Sequence, residues 1–91
     1  MIRTDGYYNI MLDENHRFTL SYDFNGIFFT AVRTAYVRNE RGFWDYDQSA
    51  GGSRKLWETR DGAEASRKWE ELISAEPRAV HSSTLRSGGT L

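Results

Sequence analysis

Residues 17–24 constrain this chain more than any other stretch. Phe18, Leu20, Tyr22 and Phe24 alternate with Thr19, Ser21 and Asp23, and a period of two puts the apolar set on one side of a strand. A strand with one dry and one wet face belongs in an antiparallel sheet. Asn25-Gly26 follows, a pair that tolerates the positive φ of a two-residue type I′ turn. The chain is therefore expected to double back into residues 27–38, which are rich in β-branched and aromatic side chains. The adjacent pairs Phe28-Phe29 and Tyr36-Val37 blur the alternation there and predict a bulge in this long strand. Upstream, Tyr8, Ile10 and Leu12 share the parity of a first strand, and Asp13-Glu14-Asn15-His16 reads as the turn that joins it to the second.

The second half holds one helix. Asp61 and Glu64 have the spacing of an N-cap and its reciprocal N3 partner. Ala65, Trp69, Leu72 and Ile73 then form one apolar stripe, opposite the charge pairs Glu64/Lys68 and Arg67/Glu71. Pro77 ends the helix through the preceding Glu76. Between the long strand and the helix, residues 39–42 read as a turn, 43–47 as a short strand, 48–53 as a loop and 54–58 as a last short strand. The expected fold is α+β: an antiparallel meander of three to five strands packed by one C-terminal helix over about residues 61–75. It forms a single domain over residues 1–77. The Ser-, Thr- and Gly-rich residues 78–91 read as a flexible tail, with an edge strand within 79–85 as the alternative.

Composition removes whole classes of function. The chain has 91 residues and no cysteine, which excludes a disulfide scaffold, a Cys-ligated metal site and a thiol nucleophile. Neither a membrane-length apolar run nor a signal-peptide core is present, so a soluble intracellular protein is expected. The net charge of −1 argues against a general electrostatic grip on nucleic acid or anionic lipid. His16 lies in a turn and His81 in the tail, and no nucleophile elbow occurs, so no catalytic residue is assigned. Asp45 and Asp47 would share a strand face, without a pocket around them. Residues 45–51 have the D-x-D-x-S start of a calcium loop, but Ala50 stands where its glycine belongs and Leu56 where its bidentate glutamate belongs. Residues 51–55, GGSRK, lead into a strand rather than a helix and so do not cradle phosphate. No metal or other cofactor is expected.

A binding surface remains. Phe43, Trp44, Asp45, Tyr46 and Asp47 gather three aromatics and two acids in five residues. Alternation places Trp44 and Tyr46 together, either completing the core or exposed as an interface anchor. With Asp13 and Glu14 in another turn, these acids suit a partner's basic groove. An alternative surface is basic: Arg33, Arg38, Arg41, Arg54 and Lys55 fall in residues 33–60, a span of six cations against four anions. All but Lys55 and Lys68 of the twelve cations are arginine, the residue suited to planar and stacked contacts.

Leu56-Trp57-Glu58-Thr59, then Asp61-Gly62-Ala63-Glu64-Ala65 and Trp69, after a three-stranded meander, resemble two sets of proteins in architecture. One is a loose group of small phage and mobile-element proteins, several anti-CRISPR proteins among them. The other is the arm-binding domain of phage-type tyrosine recombinases. The likeness spans about residues 7–75. The first resemblance implies a non-enzymatic inhibitor acting in the cytoplasm of a bacterial host, bound to a larger protein or ribonucleoprotein effector. The second implies a sheet face that reads nucleic acid. An exposed edge on the long strand would also allow a homodimer.

Overall fold

The computed structural model describes residues 2–82 of the chain. Strands β1 (Tyr7–Asp13), β2 (His16–Phe24) and β3 (Phe29–Arg38) form the antiparallel meander. Strands β4 (Trp44–Tyr46) and β5 (Ser53–Thr59) then share the far edge of β3 end to end, β4 on residues 36–38 and β5 on residues 29–34. Helix α1 (Gly62–Ser74) crosses one face, and β6 (Val80–Ser82) returns to pair antiparallel with β1. The sheet thus has six strands, and the helix is not the last element. Among the described residues, no helix is long and apolar enough to cross a membrane.

The β2–β3 connection departs from the expected two-residue turn. Phe24 pairs with Phe29, which closes a four-residue loop, and Gly26 alone takes a positive φ, +100°. The cause is the Asn25 carboxamide, whose Oδ1 accepts from the Ile27 and Phe28 amides at 2.9 and 2.8 Å and builds an Asx turn. The bulge also falls elsewhere. β3 pairs with β2 without a slip, whereas β5 carries the extra residue Leu56 between Lys55 and Trp57. A bulge lets two consecutive side chains turn the same way, and Leu56 and Trp57 both pack on the core.

Cross-strand partners share a face. The helix side therefore carries Tyr8, Ile10, Phe18, Leu20, Tyr22, Ala31 and Ala35. Against them α1 buries Ala65, Trp69 and Ile73, with Leu72 half-buried. Trp69 is only 2% exposed, stacks on Tyr22 at 5.3 Å between centroids and donates from Nε1 to the Arg3 carbonyl at 2.8 Å. The expected stripe runs out at its end: Phe24 is 56% exposed, stacked on Phe29, and Leu12 of the first strand is exposed too.

The helix start is as expected at Asp61, whose Oδ1 accepts from the Ala63 and Glu64 amides. The reciprocal half of the box runs through a relay instead. The Asp61 amide donates to Thr59 Oγ1, and that hydroxyl donates to Glu64 Oε1 at 2.8 Å. Glu64 is thereby drawn from Lys68, while Arg67 and Glu71 do pair at 3.1 Å.

The tail is ordered at its first residues. Val80, His81 and Ser82 pair with Asn9, Tyr8 and Tyr7, so the domain extends past residue 77 and the edge-strand alternative describes this segment. His81 sets its ring edge-on to Tyr8, 5.0 Å between centroids, and its Nε2 lies 2.7 Å from the Asp5 carbonyl. It is a packed residue rather than a solvated one. The remainder of the expected tail, residues 83–91, lies outside the described residues.

Candidate functional site

No element among the described residues packs across the second face of the sheet, and that face carries an aromatic cluster of its own. Register places Tyr7, Asn9, Arg17, Thr19, Thr34, Tyr36 and Arg38 on it, and extends it through Trp44 opposite Arg38 and Tyr46 opposite Tyr36. Trp44 and Tyr46 therefore lie on the open face and not in the core. Tyr46 is 60% exposed and stacks on Tyr36 at 5.6 Å between centroids. The Arg17 guanidinium lies 5.0 Å from the Tyr36 ring centre and 4.7 Å from that of Trp44. Arg38 lies 4.8 Å from the Trp44 ring on the same face. Arginine and aromatic rings thus alternate across three strands, each arginine–ring contact within cation–π reach.

Local backbone chemistry holds this arrangement. Asn39 builds the β3–β4 turn, its Oδ1 accepting from the Arg41 and Phe43 amides at 2.9 and 3.0 Å. Gly42 takes φ +86° there. At the other side the β1–β2 turn is tied to β3, because Arg38 donates from its amide to the Asn15 carbonyl and from Nε to the Glu14 carbonyl. Arg38 consequently joins the Asp13-Glu14 turn to the Trp44 ring, and two segments distant in sequence share one end of the sheet.

The acids behave differently from the expectation of a free acidic surface. Asp45 pairs with Val37 on the helix side, and its Oδ2 accepts from Asn39 Nδ2 at 3.0 Å. Asp47 lies past the end of β4, where its carbonyl accepts the Ala50 and Gly52 amides and its Oδ1 accepts from the Ser49 hydroxyl. The two carboxylates are therefore not neighbours on one strand face. Asp13 lies 2.9 Å from His16 Nδ1 and accepts the Asn15 amide at 2.7 Å, and these hydrogen bonds hold its carboxyl below the ordinary range, the histidine contact foremost. Phe43 is 63% exposed at the β3–β4 turn. Three of the four acids assigned to binding are committed to their own turns.

The basic set is divided. Register places Arg33 opposite Leu20 and Arg54 opposite Arg33, on the helix side. Arg33 lies 4.6 Å from the Phe18 ring centre and lines an apolar hollow of about 200 Å³ with Leu20, Leu56 and Leu72. Arg41 belongs to the β3–β4 turn. Only Arg38 and Lys55 of the five share the open face, and Lys55 is paired with Glu58 at 3.2 Å.

Sequence reasoning missed Arg17, Tyr7 and Tyr36. They line an open-face hollow of about 230 Å³ together with Thr19. Parity was the available signal, since Arg17 shares the wet side of β2 with Thr19. Its neighbours Tyr36 and Trp44 become neighbours only through cross-strand register. Among the described residues no cluster of acids and histidines has the form of a metal site. No protein-family model, curated protein or solved structure matches the chain.

Proposed function

We propose that this protein is a non-enzymatic binding module that grips a larger protein with the open face of its sheet. The observation that carries the reading is the Arg38–Trp44–Arg17–Tyr36–Tyr46 cluster, an aromatic group that lies on the face α1 does not cover. Trp, Tyr and Arg supply most interface hot spots, because each buries a large area with few rotatable bonds and offers a polar edge. The surrounding Ser21, Thr34 and Ser53 suit a polar rim. The narrower form, inhibition of a bacterial defence complex in the manner of an anti-CRISPR protein, is supported by the architectural resemblance.

One observation favours a second reading. Arginine interleaved with aromatic rings on a sheet is also a platform on which unpaired bases stack. Against it, Arg33 and Arg54 face the helix side, which leaves few cations to follow a phosphate backbone.

Capture from bacterial lysates carrying active defence systems, with and without nuclease, separates the two. The expected result is a stoichiometric protein partner that survives nuclease and is lost by Trp44→Ala. Enrichment that disappears with nuclease and with rising salt would transfer the face to nucleic acid. A partner retained by Trp44→Ala would remove the face from the interface.

A further inference from the structure

The geometry points to the open-face hollow around Arg17 as a receptor for a single carboxylate, an aspartate or glutamate side chain carried by the protein partner. This deepens the open-face reading and rests on it. The hollow is lined by Tyr7, Arg17, Thr19 and Tyr36, that is, by one cation and three hydroxyls, with no carboxylate. Among the described residues, the Arg17 guanidinium has no hydrogen-bond or ion-pair partner, and its Nε is shielded from solvent. Its neighbours are the Tyr36 and Trp44 rings, whose centres lie 5.0 and 4.7 Å from the guanidinium carbon and which offer its N–H donors no oxygen acceptor. Nor does any side-chain hydrogen bond among the described residues engage the hydroxyls of Tyr7, Thr19 or Tyr36.

Such a site is rich in donors, and its acceptors, the hydroxyls and the nearby Asn9 Oδ1, are uncharged. An arginine carries five N–H donors in a planar fork that matches a carboxylate two at a time. Holding the fork between rings removes much of the entropy that a free arginine loses on binding. Partial burial also strengthens the pairing relative to open water.

The surroundings favour one carboxylate over a polyanion. On the same face, Arg38 already donates to the Glu14 carbonyl and Lys55 is paired with Glu58. A chain of phosphates would find only Arg38 beside Arg17, its Nε already engaged, and would run toward the acidic Asp13-Glu14 turn. A lone acid on a protein surface meets neither obstacle. The expectation drawn from sequence is thus inverted: a cation on this chain receives an acid, whereas its own acids are held in turns.

The test uses the full chain, labelled for nitrogen NMR, and two probes at constant ionic strength: N-acetyl-glutamic acid N-methylamide and its glutamine counterpart. The glutamate probe is expected to shift the Arg17 Nε–H, Thr19 and Tyr36 signals saturably, and the neutral probe to leave them in place. Arg17→Gln should weaken the glutamate probe about tenfold or more. Thr19→Val, which keeps the size of a strand residue, should weaken it by a smaller factor and guards against a poorly folded arginine variant. Equal response to both probes, or an undiminished response in Arg17→Gln, would overturn the assignment. Tighter, steeply salt-dependent binding of oligothymidylate at the same signals would overturn it in favour of nucleic acid. If the glutamate probe fails while Trp44→Ala still abolishes partner capture, the carboxylate pocket falls and the open-face reading stands. If capture is also indifferent to Trp44, the face itself is wrong.

Discussion

The two faces of the sheet carry similar aromatic chemistry and dispose of it in opposite ways. On one, Tyr8, Tyr22 and Trp69 meet ring to ring and are sealed by α1. On the other, Tyr36, Trp44 and Tyr46 meet ring to ring or through arginine, and their cover is a guanidinium rather than a helix. A helix excludes water and converts aromatic area into stability. An arginine shields the rings with its stem and plane while leaving a charge at the surface. Burial on the first face therefore holds the fold, and partial exposure on the second leaves contact area for a partner.

Substitutions ordered by expected size test that contrast. Trp69→Ala should cost about 3–5 kcal/mol, since it empties the centre of the covered face and frees the Arg3 carbonyl bonded to the indole. That is a large share of the stability of a domain this small. A urea titration checks it, and a midpoint near that of wild type would refute the core described here. Trp44→Ala, an equally large truncation, should cost only about 1–2 kcal/mol, the worth of its contacts with Arg17 and Arg38. If both variants lose the same stability, the two faces are not different in kind.

Asp61→Ala acts on the cover itself. It removes the acceptor of the Ala63 and Glu64 amides and should cost about 1 kcal/mol, measured by thermal melting, with the Trp44 cluster unaffected. A perturbed indole signal for Trp44 would show that the faces communicate. The smallest effect concerns pH. The hydrogen bond from Arg3 holds the Asp5 carboxyl below its ordinary range, as that of His16 does for Asp13. A carboxyl with a depressed folded value stabilises above its unfolded pKa, about 3.9, and that contribution is lost as pH falls through the folded value. Asp5→Asn should flatten the acid side of the stability profile slightly below about pH 4. An unchanged slope would mean that the exposed Arg3–Asp5 pair contributes nothing.

The covered face was legible because its signals are local. The 17–24 alternation and the Ala65/Trp69/Leu72/Ile73 stripe each state a period, and Asp61 states a boundary. β6 was legible only as the alternative to a flexible tail: Val80, His81 and Ser82 state no clear period, and pairing with the free edge of β1, aided by His81 on Tyr8 and Asp5, selects the strand. Arg33 and Arg38 are five residues apart on β3 and so fall on opposite faces, and Arg54 follows Arg33 to the helix side because the Leu56 bulge in β5 shifts its register against Trp57 by one. Arg17 was invisible for a related reason. In sequence it is an arginine beginning a strand, and its value depends on Tyr36 and Trp44 arriving beside it.

The most direct test of the open face is the affinity of the captured partner for Trp44→Ala relative to wild type, at equal concentrations of folded protein. The expected result is a dissociation constant raised about thirtyfold or more, the effect of losing a hot-spot tryptophan. A value within twofold of wild type, about the scatter of such a comparison, would contradict it.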